Sequence, residues 1–229
     1  IKNMSIFSKS TFKNIREVKV LKWEEIKNFS KKFDWIFACP TETSVALRIP
    51  IEDLYKLKKR CKAKLALDAT ASIGLEKNHN FADVLAYSSC KGLFGLTGAS
   101  FIAFNKYPVN KVRSFYLNIF NHLESRMTGP YHTILSLFKV LPKHNEFKYS
   151  VLVNKKKIEK LMGNQMVYPR ENQPLLCTYI KKKLISKNKK IIFYETRANL
   201  TGTVVCHLGE VHLKKKSKGN ILKELIYEY

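Results

Sequence analysis

Asp68 and Lys91 are the residues of this chain best placed to do chemistry. Asp68 closes the apolar run Leu65-Ala66-Leu67 and opens the stretch Asp68-Ala69-Thr70-Ala71-Ser72-Ile73-Gly74. Lys91 follows a second apolar run, within Tyr87-Ser88-Ser89-Cys90-Lys91-Gly92-Leu93-Phe94-Gly95. Both runs read as buried parallel strands, so the acid and the amine are expected side by side at the carboxyl edge of one sheet. Open α/β sheets bind ligands at that edge. A carboxylate and an amine held there suit pyridoxal phosphate: the amine condenses with the aldehyde, and the acid keeps the pyridine nitrogen protonated. An Asp at a strand end is by itself more often a turn or cap residue, and a single Lys is more often solvated. The pair, in this order and with glycines after the lysine, is what points to chemistry.

The elements that must position this pair alternate along the chain. Residues 18–23 read as a short strand, 24–32 as a polar helix and 34–39 as a strand with Trp35, Ile36 and Phe37 continuous. Residues 50–62 read as a helix, with Pro50 at its start, Glu52 and Asp53 near the positive N-terminal end and the lysines late. Strands are expected at 65–67, 83–87 and 99–104. Such alternation argues for an α/β fold, a mostly parallel sheet with helices on both faces. Residues 108–141 read as more helical, with Leu135, Leu137, Phe138 and Leu141 at helical spacing as core positions. Residues 146–162 read as a long helix carrying Val151, Leu152, Ile158 and Leu161. Strands at 175–180, 191–194 and 203–208 and a final helix at 220–227 then suggest a small α+β domain. The division is expected near residue 145, with 1–145 as part of a large domain and 146–229 as a small one.

The 229 residues carry a formal net charge of +24 and 45% hydrophobic residues, enough apolar content for a substantial core. The lysines spread along the chain, with clusters at 155–157, 181–183 and 214–216 and no base-stacking aromatics between them. Solvated faces are the preferred reading and nucleic acid is disfavoured, although anionic substrates would be drawn to such a surface. The five cysteines, Cys39, Cys61, Cys90, Cys177 and Cys206, form no C-x-x-C pair and read as buried thiols of a reducing cytoplasm. No histidine pattern suggests a metal site. No apolar run is long enough to span a bilayer, and no signal peptide is apparent. The start at Ile1 reads as that of a fragment.

The Asp68-to-Gly74 stretch followed by Ala82-Asp83-Val84-Leu85-Ala86-Tyr87-Ser88-Ser89-Cys90-Lys91-Gly92 resembles the class V (fold type I) pyridoxal phosphate-dependent aminotransferases. Glu42-Thr43-Ser44 and Leu208-Gly209-Glu210-Val211 are similar to further motifs of that family, and the likeness is strongest to its 2-aminoethylphosphonate–pyruvate branch. It extends from about Val18 to the C-terminus. The resemblance implies that Lys91 is the Schiff-base lysine and proton carrier, and that Asp68 pairs with the pyridinium nitrogen. It places Thr70 beside the ring, Thr43 near the ring hydroxyl, Glu42 in the site lining and Cys90 next to the phosphate. It sends Thr128, in Met127-Thr128-Gly129-Pro130, to the phosphate of a neighbouring subunit, which implies a homodimer.

The sequence departs from that family in two respects. The family's N-terminal phosphate loop has no counterpart here, and Val204 stands where the family has an Arg for the substrate carboxylate. Arg197 is the candidate substitute. The resemblance implies transfer of an amino group from a small amine or amino acid to an α-keto acid such as pyruvate. The alternative is a truncated, non-catalytic paralogue or a basic binding protein on the same fold.

Overall fold

The computed structural model describes residues 15–109, 111–124, 129–186, 201–208 and 225–227. Its centre is a four-stranded sheet built from β1 (Trp35–Ala38), β4 (Lys64–Asp68), β5 (Val84–Ser88) and β6 (Ser100–Phe104), in that spatial order. β1, β4 and β5 run parallel, and β6 returns antiparallel to β5. Between β1 and β4 lie the two-residue strands β2 (Thr41–Glu42) and β3 (Leu47–Arg48) and the crossover helix α1 (Ile51–Cys61).

Helix α1 has the charge order its dipole favours, Glu52 and Asp53 in the first turn and Lys58, Lys59 and Arg60 in the last. It stops where Lys62 turns left-handed and donates its N–H to Lys58 O and Lys59 O. Its buried residues Ile51, Leu54, Leu57 and Cys61 pack on Leu65 and Leu67, which are 0% and 1% exposed. Strand alternation sends Lys64 and Asp68 to the opposite side. That second face carries Trp35, Phe37 and Ile102 exposed at 39%, 58% and 58%. Asp83 locks β5 to its neighbours just before the strand begins. Its Oδ2 accepts Leu65 N–H at 2.8 Å and pairs with Lys58 Nζ at 2.7 Å.

The later part holds α2 (Ile119–Glu124), α3 (Tyr131–Val140) and α4 (His144–Met162). Two antiparallel pairs follow: β7 (Cys177–Ile180) with β9 (Thr203–Cys206), and β8 (Leu184–Ser186) with β10 (Leu225–Tyr227). One apolar cluster takes Ala46, Ala71, Leu75 and Phe94 from before residue 145 and Val151, Leu176 and Cys177 from after it. Among the described residues no helix is long and apolar enough to cross a membrane.

Several expectations are corrected. Residues 18–22 form no strand, and the helix expected over 24–32 is only a 3-10 turn, Trp23–Lys27. The Arg60 side chain of α1 takes the Ile26 and Phe29 carbonyls, so the turn is tied to α1 instead of propagating. The end of the chain is not helical over 225–227. Leu-Ile-Tyr, rich in strand-favouring side chains, pairs with β8. Of the positions assigned to the core on α3 and just after it, only Leu137 is buried; Leu135, Phe138 and Leu141 are exposed. On α4, Val151, Ile158 and Met162 are buried while Leu152 and Leu161 face outward. The strand expected at 191–194 and the segment 220–224 lie outside the described residues.

Lys155 is not part of a solvated face. It is buried, and its Nζ donates to Gln173 O at 3.2 Å and Pro174 O at 3.1 Å. Close by, His207 is buried against Thr178, its Nε2 2.8 Å from Thr178 Oγ1. Burial pushes the imidazole down to about 3, and the Lys155 charge adds to the effect. A histidine free in the unfolded chain titrates near about 6.5. The neutral His207 therefore stabilises the fold fully above that pH, and its contribution falls as pH drops through the window down to about 3. The slope is up to about 1.4 kcal/mol per pH unit. Urea denaturation at pH 7 and pH 5 should show wild type losing about 2 kcal/mol more than His207→Gln over that interval. Equal losses in the two proteins would contradict this reading.

Candidate active site

The site begins at the register of β4 and β5, in which Asp68 pairs with Ala86. Ala69 N–H continues the ladder to Ala86 O at 2.7 Å. The chain then turns, and Thr70 N–H donates to Asp68 Oδ1 at 3.1 Å, which aims the carboxylate at the sheet edge. Asp68 is exposed and Thr70 half-buried. The turn is held from below by buried Ser72, whose Oγ lies 2.9 Å from His79 Nε2. Burial pushes His79 below its ordinary value, against the pull of the Glu76 charge.

The loop after β5 carries the lysine. Buried Ser89 closes it by donating to Leu96 O at 2.6 Å, while Ala99 N–H donates to Ser89 Oγ at 3.3 Å. Inside this loop Lys91 and Phe94 adopt left-handed backbone, with φ of 55° and 62°. The two turns meet main chain to main chain at Gly92. Its N–H points to Thr70 O at 3.4 Å, and a Cβ built there would lie 2.2 Å from Ile73 O. Only glycine permits that approach. His144, at the start of α4, lies with Nε2 2.9 Å from Gly92 O, and Lys148 Nζ donates to Gly74 O at 3.1 Å.

Lys91 is exposed, and its Nζ donates to Thr43 Oγ1 at 3.3 Å. Next to Thr43, Glu42 Oε1 accepts from Ser44 N–H at 3.0 Å and Ser44 Oγ at 2.8 Å. Cys90 Sγ sits 3.2 Å from Ser88 Oγ. The charges of this site also act on two thiols. Burial pushes Cys39 up to about 11, with the charges of Asp68 and Glu42 adding to the rise and Lys91 opposing it. Burial pushes Cys177 up to about 12, with Cys206 adding to the rise and the Lys91 and Lys155 charges opposing it. The structure thus brings Asp68, Thr70, Lys91, Cys90, Thr43 and Glu42 to one edge of the sheet. Thr128 and Arg197 lie outside the described residues. Val204 is half-buried on β9 opposite Tyr179 and packs on the apolar cluster around Phe94 and Val151.

The donor set fits pyridoxal phosphate at one end. An exposed carboxylate stands at the end of one parallel strand and an exposed amine in the loop after its neighbour, the carboxylate already fixed through one oxygen. Cys90, which the resemblance sets next to the phosphate, is a weak donor. His144, Lys148, Cys39 and Cys177 were not singled out from the sequence as site residues. No spacing ties His144 to Gly92, 52 positions away, and the signal would have been the glycine that admits it.

No protein-family model matches the chain. A curated relative, the bifunctional phosphonoacetaldehyde hydrolase/aminoethylphosphonate transaminase of Clostridioides difficile (strain 630), is 24% identical over 214 residues, covering 82% of this chain and 33% of the relative. Among solved structures, a phosphoserine aminotransferase from Cytophaga hutchinsonii superimposes with a TM-score of 0.59 at 17% identity, over 79% of this chain and 58% of that one. Pyridoxamine–pyruvate aminotransferase from Mesorhizobium loti gives 0.58 at 15% identity, over 80% and 57%. Alanine–glyoxylate aminotransferase from Nostoc sp. gives 0.53 at 18% identity, over 69% and 47%. The chain therefore has the α/β fold of these aminotransferases, with its mostly parallel central sheet, and spans about a third of the curated relative and about half of each solved structure.

The contact at Gly92 makes a direct test. In Gly92→Ala the methyl meets the Ile73 carbonyl and one turn must retreat. A stability loss of about 1–3 kcal/mol is expected in denaturant titration. Unchanged stability would show that the two turns are not held in contact.

Proposed function

We propose that this chain carries the lysine-bearing part of a pyridoxal phosphate-dependent aminotransferase. It moves an amino group from a small amine or amino acid, of the 2-aminoethylphosphonate kind, to an α-keto acid such as pyruvate. The observation that carries this reading is the placement of Asp68 at the end of β4 and of Lys91 in the loop after β5, in a fold shared with aminotransferases. Bound pyridoxal phosphate supplies an aldehyde for the amine and a protonated ring that withdraws electrons from the substrate Cα.

The residues then divide the work. Lys91 Nζ would hold the cofactor through its aldehyde and, as a free amine, would move a proton at the substrate Cα. Thr43, within hydrogen-bond reach of Lys91 Nζ, orients that amine and would stand near the ring hydroxyl. Asp68 keeps the ring nitrogen protonated. Thr70 N–H fixes its carboxylate, and Thr70 would lie beside the ring. Cys90 would lie next to the phosphate and Glu42 would line the substrate side. Arg197 receives the substrate carboxylate in place of Val204. The net charge of +24 draws in phosphonate, phosphate and carboxylate substrates.

A homodimer completes the site through Thr128. The outward stripe of α3, with Tyr131, Ile134 and Phe138 exposed at 72%, 51% and 72%, is the kind of apolar surface a second copy covers. We place the protein in the cytoplasm and assign 1–145 to a large cofactor domain and 146–229 to a small one. Val204, apolar where a carboxylate fork is needed, favours a second reading, a non-catalytic protein on this fold.

The purified chain mixed with pyridoxal phosphate should develop a visible absorption band that is lost in Lys91→Ala. Adding 2-aminoethylphosphonate should bleach the band, and pyruvate should restore it. In Asp68→Asn, turnover should fall by at least about 10²-fold. A band without bleaching by any small amine would favour the non-catalytic reading, and no band at all would overturn the assignment of the cofactor.

A further inference from the structure

β7 and β9 place Cys177 directly opposite Cys206. The next pair outward, Leu176 and His207, is hydrogen-bonded, His207 N–H donating to Leu176 O at 2.7 Å. Hydrogen-bonded and non-bonded pairs alternate along an antiparallel ladder, so Cys177 and Cys206 form a non-bonded pair. Residues of such a pair have Cα atoms about 4.5 Å apart and side chains on one face. Disulfides take Cα separations of about 4.4–6.8 Å. Both thiols are free in this structure. Cys177 is buried, at 3% exposure, whereas Cys206 is exposed. The other cysteines lack this arrangement: Cys39 bonds to Thr41 O, Cys61 is buried at the end of α1, and Cys90 faces Ser88.

We propose that Cys177 and Cys206 are a reversible dithiol–disulfide site whose co-substrate is a small disulfide of the glutathione class. Cys206, the accessible thiol, loses its proton and attacks one sulfur of the small disulfide. That S–S bond breaks, and the first small thiolate leaves and takes up a proton. Cys177 then gives up its proton and attacks Cys206 Sγ. The mixed disulfide breaks, and the second small thiolate leaves and is protonated. Two protein thiols are oxidised and one small disulfide is reduced to two thiols, with no net proton change. Burial raises the Cys177 thiol to about 12, so ring closure is the slow step and Cys206 is the entry point. The cross-link would join β7 to β9, the strand that carries Val204, and its formation needs no bound cofactor.

The whole chain should be incubated with oxidised glutathione at about pH 8, where ordinary thiols are partly ionised, then acid-quenched, alkylated and mapped by mass spectrometry. Wild type should lose two of its five thiols together, give one cross-linked peptide pair joining Cys177 to Cys206, and recover both thiols with a reductant. Cys177→Ser should stop at a glutathione adduct on Cys206. Cys206→Ser, altered at an exposed position, should lose both adduct and cross-link. A persistent adduct on Cys206 in wild type, a cross-link to another cysteine, or no reaction at either residue would overturn the proposal. The wild-type map alone decides if Cys177→Ser fails to fold.

Discussion

The candidate site depends on the approach of two main chains. The turn after β4 and the loop after β5 touch where Gly92 passes Ile73, at a distance that leaves no room for a side chain. Parallel pairing of β4 with β5 brings the strand ends together, but the glycine contact sets how closely the following turns stand. Lys91 leaves that contact with a left-handed backbone. Such a conformation costs a residue with a side chain roughly 1 kcal/mol or more and persists only where neighbours enforce it. Ser89 closes the loop from one side and His144 meets the Gly92 carbonyl from the other.

The layers beneath this contact explain why it is stable. α1 buries one face of the sheet, so the even-numbered residues of β4, Asp68 among them, must face the other way. Asp83 ties β5 to β4 and α1 through one carboxylate. The N-terminus of α4 reaches the main chain of both turns, at Gly74 and Gly92. Residues from both sides of position 145 share one apolar cluster. The lysine loop is thereby braced by the segment that also leads into β7 and its buried partners Lys155 and His207.

Much of this was legible in the sequence because it is local. α1 has its charges in dipole order, and β1, β4, β5 and β6 are continuous apolar runs. Asp68 ends one such run and Lys91 follows another, so parallel pairing of β4 with β5 directs both to one sheet edge. What was not legible depends on tertiary partners. The apolar stripe of α3 has the spacing of a core helix, and periodicity cannot distinguish a face turned to the core from one turned outward. The short turn at Trp23–Lys27 ends where it does because Arg60 takes its carbonyls, a contact invisible to helix propensity. Lys155 sits in a lysine run yet is buried, because two carbonyls happen to converge on it. His144 and the Cys177–Cys206 register likewise require chain segments far apart in sequence.

The central claim is that Lys91 is the amine that holds pyridoxal phosphate. Borohydride reduction of the cofactor-loaded chain, followed by digestion and mass spectrometry, tests it most directly. The account predicts a pyridoxyl group on the peptide containing Lys91 and on no other lysine peptide at stoichiometric yield. A label on a different lysine, or spread among many, would contradict it.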